Sequence, residues 1–281
     1  MGSKTYKSEK LKKMRRRVAT VRSVFFLSCG FGIWLFVFWL FGLPSLTIHN
    51  LEIVGNVSLS VRDIATATNK FLTGRYFFTV PKESIFFYPK SAIAKSIAES
   101  FPEIKRAEIG IKNFNTLGIS VAERTPSALW CVKNENLAGE KIADCYKLDD
   151  SSFIFSRATT KDSAEVGFVK FFASSTGASP IGQTYLSSAF FRSLMDFAKN
   201  FSALGFSVVA FRERSEREQG DFEAVLEGGV RLIFSRDSNL TSIFANVESI
   251  ISDSGLGKDG FAKLDYLDLR FGNKIFYKMK K

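Results

Sequence analysis

Charged and apolar residues separate sharply at the start of the chain, and this separation predicts one membrane-spanning helix. Residues 24–43 form an uncharged run, VFFLSCGFGIWLFVFWLFGL. A twenty-residue helix is about 30 Å long, which matches the hydrocarbon core of a bilayer. The run is longer than the apolar part of a secretory signal peptide, and no small-residue cleavage site follows it. We therefore expect an uncleaved anchor over residues 24–43.

Residues 44–125 alternate between strand and helix patterns in the order β-α-α-β-β. Period-two alternation predicts strands in TIHNLEIVG, IKRAEIGI and TLGISVAE, with His49 on the apolar face of the first. Apolar residues at helical spacing predict one helix after Ser60 and another after Pro89. The inward-facing residues of these helices are expected to be Val61, Ile64, Thr68, Phe71, Ile93, Ile97 and Phe101. We expect the helices to cover one face of a small sheet.

Residues 126–281 predict a second domain of mixed α and β structure. Strand patterns occur in FSVVAFRER, DFEAVLEG, VRLIFS and LDYLDLRFGNKIFYK, with glycine turns at Gly228–Gly229 and Gly272–Asn273. Two helices, through SSAFFRSLMDFAKNFSALG and over residues 237–253, each carry an apolar stripe. These stripes are Phe190, Phe191, Leu194, Phe197, Ala198 and Phe201, then Leu240, Ile243, Phe244, Val247, Ile250 and Ile251. We expect both helices to pack on an extended antiparallel sheet, which makes the exported part α+β.

The charge of the chain is concentrated before the apolar run. Residues 1–23 carry nine Lys and Arg against one Glu, so they hold +8 of the net charge of +11. The positive-inside rule predicts that this tail is cytoplasmic and that the C-terminal part lies outside. The tail has one aromatic residue, Tyr6, whereas a nucleic-acid-binding platform interleaves many with its basic residues. We therefore expect a topology signal and attraction to anionic lipid head groups, not nucleic-acid binding.

No catalytic constellation emerges from the chain. The single histidine, His49, has no nearby Cys or acidic cluster in sequence, so we expect a structural residue. The chain contains no GxSxG, HExxH or P-loop pattern. Asp149–Asp150 and the pair Asp265 and Asp268 fit a turn and a strand edge better than the two carboxylates of a glycosidase. We predict a protein that is not an enzyme and that uses no cofactor or metal.

Three cysteines bear on the compartment of the protein. Cys29 lies within the apolar run and is expected to pack as a small hydrophobic residue. Cys131 and Cys145 flank a polar stretch between two strand patterns. They predict either a disulfide, which would persist outside the cytoplasm, or two half-buried thiols on neighbouring strands. The spacing alone does not decide between these alternatives.

The same segments carry a family resemblance. IHNLEIVGN, the helix after Ser60, and FPEIKRAEIGIKNFNTLGISVAER followed by TPSALW look like a POTRA domain. The whole chain resembles the FtsQ/DivIB family of bacterial cell-division proteins, in which a basic tail and one membrane helix precede the POTRA domain. The family's E-x-x-P-x-A-x-W stretch is matched by Glu123, Pro126, Ala128 and Trp130. CYKLDDSSFIF, ASPIGQTYL and LDYLDLRFGNKIFYK resemble later segments of the family, in order.

The resemblance implies a non-enzymatic scaffold that links division proteins on the two sides of the bacterial plasma membrane during septum formation. It implies a single-pass type II protein enriched at the septum, with coiled-coil partners of the FtsB/FtsL (DivIC/FtsL) type. The coiled-coil proteins would bind the C-terminal domain by strand addition, and the POTRA domain would recruit or dock other components of the division machinery. By position, the partner-binding residues would be Arg270, Phe271, Ile275, Phe276 and Tyr277.

Alternatives to this function and to this site stay open at the level of sequence. The terminal apolar residues either form an exposed sheet edge or pack into their own domain. Other function classes are a membrane-anchored cell-wall enzyme and a POTRA-type chaperone or assembly factor. The first would need a clustered acid and base, and the second would normally show repeated POTRA domains and a β-barrel.

Overall fold

The computed structural model describes residues 4–41, 43, 46–76, 80–133, 142–164, 167–174, 179–214, 220–253, 256–272 and 274–281. Contacts between residues divide the chain into two compact units. The first unit comprises residues 1–100 and 106–122, and the second comprises residues 101–105 and 123–281. The protein is α+β, with an apolar N-terminal helix and a large mixed sheet.

The N-terminal helix α1 (Lys4–Phe41) includes the basic tail as well as the apolar run. Lys and Arg are good helix formers and no Gly or Pro occurs between Lys4 and Gly30, so nothing interrupts the helix at the start of the run. The stretch Leu11–Trp39 is long and apolar enough to cross a membrane by length and composition. Its side chains are exposed, so no part of the described protein covers them.

The rest of the first unit is a three-stranded sheet with two helices and a short two-stranded ribbon. Its elements are β1 (Asn50–Val54), α2 (Val61–Leu72), β2 (Arg75–Tyr76), β3 (Val80–Pro81), α3 (Lys90–Ser100), β4 (Ile104–Asn113) and β5 (Thr116–Glu123). The sheet order is β1-β5-β4, and β1 runs parallel to β5. Helices α2 and α3 pack against each other. The predicted order of strands and helices is therefore found, with the ribbon added between α2 and α3.

Three details of the first unit differ from the sequence prediction. Val61 is exposed because it opens α2, directly after the capping hydroxyl of Ser60, and Leu72 is buried in the last turn instead. Phe71 and Phe101 are only half-buried. His49 does not lie on an apolar face: it precedes β1, is exposed, and its Nδ1 lies 2.8 Å from the Thr47 carbonyl oxygen.

The second unit is built on one sheet of nine strands. Its elements are β6 (Ala128–Lys133), β7 (Ile142–Leu148), β8 (Ile154–Arg157), α4 (Thr160–Ala164), β9 (Val169–Ser174), α5 (Ser188–Ala203), β10 (Val208–Glu213), β11 (Asp221–Leu226), β12 (Arg231–Ser235), α6 (Leu240–Asp253), α7 (Gly257–Ala262), β13 (Leu264–Phe271) and β14 (Lys274–Met279). The strand order is β14-β13-β12-β11-β10-β9-β6-β7-β8.

The sheet is mixed, so the expectation of an antiparallel sheet was wrong. Strands β9 and β10 run parallel, as do β12 and β13, and β6 runs parallel to β9. Parallel neighbours need a crossover connection, and α5 supplies it between β9 and β10. Helices α6 and α7 supply it between β12 and β13. The two predicted helices therefore decide the direction of the strands that follow them.

The main core lies between one face of this sheet and helices α5 and α6. Nine of the twelve residues in the predicted stripes are buried: Phe191, Leu194, Phe197, Ala198, Phe201, Leu240, Ile243, Val247 and Ile251. The other three, Phe190, Phe244 and Ile250, are half-buried and pack against the same core. Facing them are buried phenylalanines of the strands, including Phe171, Phe211, Phe222 and Phe234. A fully buried side chain of this size contributes about 2–3 kcal/mol, so this aromatic layer dominates the packing.

A second, smaller cluster contains the two outer cysteines. Cys131 on β6 faces Cys145 on β7 in register, their Cα atoms are 4.1 Å apart, and a disulfide joins them. Leu129 is buried beside the disulfide, and Phe168 and Phe172 pack against it. Of the two alternatives left by the sequence, the structure contains the disulfide. The loop of residues 134–141 between these strands lies outside the described residues.

Candidate partner-binding edge

Strand β14 forms one edge of the nine-stranded sheet. Within the described part of the chain it pairs on one side only, with β13, so that Leu267 faces Tyr277 and Asp268 faces Phe276. The other side of an edge strand presents backbone N–H and C=O groups in the plane of the sheet. These groups form a template on which a strand from another protein can pair.

Large apolar side chains are exposed along this edge. Phe271 and Phe276 are each 54% exposed, Tyr277 is 59% exposed and Met279 is 42% exposed. The rings of Phe271 and Phe276 meet edge to face at 5.3 Å between centroids. Ile275 is instead half-buried and packs against the main core, which anchors the strand. An apolar group of this size on a surface is typical of a protein interaction site.

The alternation along β14 places aromatic groups on both faces of the sheet. Leu267 belongs to the core beneath the helices, so Tyr277 opposite it lies on the helix side. Phe276 faces Asp268 and lies on the other side. The exposed Lys274 and Lys278 share that side with Phe276. A partner strand added here would therefore meet one aromatic side chain above the sheet and one below it.

Arg270, which the sequence predicts as a partner-binding residue, is partly buried, and its guanidinium is bound to two carboxylates of its own unit. Its Nη1 donates to Asp221 Oδ2 at 2.6 Å, and its Nη2 and Nε donate to the two oxygens of Asp268 at 2.7 and 2.9 Å. Both carboxylates are buried. The hydrogen bond from Arg270 outweighs burial and lowers the pKa of Asp268, and the two carboxylates raise the pKa of Arg270. Arg270 therefore fastens β13 to β11, and its guanidinium lies 5.6 Å from the centroid of the Phe271 ring.

Further ion pairs cross the same face of the sheet. Asp265 accepts from Arg231 Nη2 at 2.8 Å and lies 3.6 Å from Lys278 Nζ. Arg231 lowers the pKa of Asp265, chiefly by this hydrogen bond. Asp265 and Asp268 are thus each kept ionised by their own cations, whereas a glycosidase needs one protonated carboxyl group. They do not form an acid and base pair.

The other predicted acidic pair, Asp149–Asp150, is a turn between β7 and β8. One oxygen of Asp149 accepts from the Ser151 backbone N–H at 2.8 Å and from its hydroxyl at 2.7 Å, and the other pairs with Arg124. Burial raises the pKa of Asp149, but the hydrogen bonds from Ser151, Phe153 and Arg124 outweigh burial and lower it. Arg124 was not singled out by sequence as the partner of this turn, because the two residues are distant in the chain. In the part of the chain that the structure describes, no three His, Cys, Asp or Glu residues are grouped to hold a metal.

The opposite edge of the sheet is partly covered, which distinguishes it from β14. The backbone N–H of Ile154 on β8 donates to the Gln183 carbonyl at 2.8 Å, and the Gly182 N–H donates to the Ile154 carbonyl at 2.8 Å. Phe153 and Thr184 also form a β-bridge. The chain therefore covers β8 with its own loop, whereas no described strand or loop pairs with the outer side of β14.

Comparison with known proteins gives no family for the chain and no function for this edge. No family model matches the chain, and no curated protein matches it. The role of β14 must come from its own geometry.

Proposed function

We propose that this protein is a non-enzymatic scaffold of bacterial cell division, anchored in the plasma membrane by α1. In this proposal it is a single-pass protein with a cytoplasmic N-terminus, enriched at the septum, and it binds other division proteins outside. The observation that carries the proposal is the open edge strand β14 with exposed Phe276 and Tyr277 on its two faces. Surfaces of this kind serve binding.

The resemblance to FtsQ/DivIB proteins supplies the kind of partner. On this basis we propose that the first unit is a POTRA domain that docks division proteins. We further propose that coiled-coil membrane proteins of the FtsB/FtsL type bind to β14. The observed order of elements, β1, α2, α3, β4 and β5, supports the POTRA assignment. The dense basic charge before the apolar stretch of α1 supports the cytoplasmic N-terminus.

Binding at this edge would use strand addition. Main-chain hydrogen bonds to β14 give affinity with little dependence on sequence, whereas Phe271, Phe276, Tyr277 and Met279 give specificity through the side chains of the partner. Aromatic residues at the centre of an interface are frequent hot spots, each costing about 2 kcal/mol or more when lost. That loss corresponds to about a 30-fold weaker complex.

The test is co-purification of the coiled-coil partners with full-length variants. Phe276→Glu and Tyr277→Glu should each weaken capture, because the new charge must be buried against the partner strand. Both side chains are more than half exposed, so the fold should be unaffected. Ile181→Glu is the matched control, since Ile181 is an exposed apolar residue beside the covered edge and should keep full capture.

Two results would contradict the proposal. If both β14 variants capture the coiled-coil partners as well as the parent does, the edge is not the binding site. A fluorescent fusion that stains the envelope uniformly, with no ring at mid-cell during constriction, would remove the division role. Turnover of peptidoglycan by the purified full-length protein would favour the alternative of a cell-wall enzyme.

A further inference from the structure

Residues 46–48, which follow α1 after four residues, are hydrogen-bonded to a loop that carries exposed phenylalanines. The backbone N–H of Ile85 donates to the Leu46 carbonyl at 3.1 Å, and the N–H of Ile48 donates to the Glu83 carbonyl at 2.7 Å. Thr47 and Ser84 form a β-bridge between these two hydrogen bonds. Residues 84–88 are therefore held against the point where the chain leaves the helix. Helix α1 also lies next to β3, the strand that leads into this loop.

The turn between β4 and β5 is fixed to the same short segment. The backbone N–H groups of His49 and Asn50 both donate to the Asn115 carbonyl, at 2.9 and 3.0 Å. Asn50 then begins the parallel pairing of β1 with Thr116. The residue before this anchor, Phe114, is consequently held at the same end of the first unit as the loop of residues 84–88.

The side chains presented at this end are apolar and exposed. Phe86 is 58% exposed, Phe87 is 47% exposed and Phe114 is 76% exposed. Strand β1 runs away from this end for about 15 Å. Two smaller apolar residues are exposed in that direction: Val54, at the far end of β1, is 49% exposed, and Val57, beyond it, is 89% exposed. The three phenylalanines are therefore concentrated on the side of the unit where α1 joins it.

The length of the connection sets how far this end lies from the membrane anchor. Four residues, 42–45, lie between Phe41, the last residue of α1, and Leu46, so five Cα–Cα steps join them. A fully extended chain of that length covers at most about 17 Å. The polar head-group layer on each side of a bilayer is about 5–7 Å thick. The loop and the turn are thus within reach of the head groups of any bilayer that α1 crosses.

We propose that Phe86, Phe87 and Phe114 form an aromatic rim that inserts into the head-group and upper acyl region of the bilayer holding α1. The inference rests on the proposed single membrane crossing and concerns the unit next to it. Phenylalanine rings gain apolar burial at this depth, as the apolar faces of interfacial helices do. Lys82 and Lys90 flank the loop and suit anionic head groups. With the loop of residues 84–88 and the turn at Phe114 both inserted, the sheet and helices of the first unit would keep a fixed tilt relative to the membrane.

The test places a polarity-sensitive fluorophore on single cysteines of the full-length protein. The background is Cys29→Ala, because Cys131 and Cys145 are joined in the disulfide and do not react. Phe86→Cys and Phe114→Cys report on the rim, and Val57→Cys is the control on the same unit. Each protein is labelled with nitrobenzoxadiazole and reconstituted into vesicles of phosphatidylcholine and phosphatidylglycerol that carry nitroxide lipids.

The rim predicts quenching by shallow nitroxides at positions 86 and 114 that is at least about twofold stronger than at position 57, with blue-shifted emission. A separate label on Cys29 of the otherwise unchanged protein tests the crossing, because it should be quenched by nitroxides deep in the acyl chains. If the label on Cys29 is quenched but labels at positions 86, 114 and 57 are quenched equally, the proposed insertion of the rim is wrong, whereas the membrane crossing by α1 is supported. If Cys29 is not quenched, the crossing is wrong and the rim is wrong with it.

Discussion

Replacing Arg270 by alanine should destabilise the second unit, because it leaves two buried carboxylates without their shared cation. Asp221 and Asp268 are both 8% exposed as residues, and each accepts a hydrogen bond of 2.6–2.9 Å from the guanidinium. The change is therefore different from the loss of a surface ion pair, whose contribution is about 0–1 kcal/mol.

The magnitude follows from the burial of the network. Removing one partner of a fully buried pair costs about 3–5 kcal/mol, since the remaining charge stays desolvated. The Arg270 side chain is 25% exposed and those of its partners are 11–12% exposed, so water can partly solvate the carboxylates. We therefore expect a loss of about 2–3 kcal/mol at neutral pH, which lowers the melting temperature of a unit of this size by about 4–12 °C.

The dependence on pH identifies the cause. Arg270 lowers the pKa of Asp268 in the folded protein, so this pairing stabilises the native state above the unfolded carboxyl pKa. The contribution is lost as the pH falls through the folded value. The gap in free energy of unfolding between the parent and Arg270→Ala should thus be widest and nearly constant from pH 7 to about pH 5, and should narrow as the pH falls below the unfolded carboxyl pKa of about 3.9.

The assay is urea unfolding of the full-length proteins in detergent, followed by the fluorescence of the buried Trp130 in the second unit. Arg157→Ala is the matched control, because Arg157 lies in the same unit, is 66% exposed in its pair with Asp144, and should cost little. A loss below about 0.5 kcal/mol for Arg270→Ala, or a gap that stays constant between pH 7 and pH 3, would refute the reasoning.

Three further outcomes are expected from other parts of the second unit. Cys131→Ser with Cys145→Ser should lower the free energy of unfolding by about 3 kcal/mol in urea, since the disulfide closes a loop of fourteen residues in the unfolded chain. Phe197→Ala should cost about 3–5 kcal/mol in the same assay, because this ring is 2% exposed between α5 and the sheet. Thr159→Ala should raise the pKa of Asp162 from about 2 toward 3.8 in an NMR titration, because the hydroxyl of Thr159 is the chief cause of the low value. An unchanged pKa of Asp162 would show that the backbone N–H of residue 159 suffices.

The local pattern of the chain predicted its helices well because burial repeats within each helix. The stripes of α5 and α6 needed only the spacing of Phe and Leu or Ile along a dozen residues. The start of α6 was placed three residues too early, at residue 237. The side chain of Asn239 caps the helix by accepting from the Thr241 and Ser242 N–H groups, so the first helical residue is Leu240.

The order and direction of strands could not be predicted in the same way. Strand β9 lies between β6 and β10, and its neighbour β6 is about forty residues earlier in the chain. No local alternation records such a pairing, because it depends on how β7, β8 and α4, which lie between β6 and β9 in the chain, fold back to the sheet. The edge position of β14 depends on this order too. The apolar triplet at 275–277 therefore left open whether its residues were buried, and the structure divides them, with Ile275 inward and the two aromatic residues exposed.

The role of Arg270 was hidden for a related reason. An Arg in a terminal hairpin next to exposed Phe271 fits a binding surface equally well. Asp268, its nearer partner, is two residues away, but Asp221 is almost fifty residues earlier on β11. Arg270 binds both carboxylates only because β11 and β13 come close together in the folded sheet.

The two lysines of β14 limit what the open edge can accept. Lys274 and Lys278 stand at opposite ends of the strand and are exposed, and Lys278 shares its charge with Asp265 over 3.6 Å. Natural sheets use lysine on uncovered strands to discourage indiscriminate pairing, because like charges repel when two identical edges approach. We therefore expect β14 of a second copy of this chain to be repelled, and an extended segment rich in Asp or Glu to be attracted. We expect this one pair of side chains both to disfavour self-association and to favour an acidic ligand.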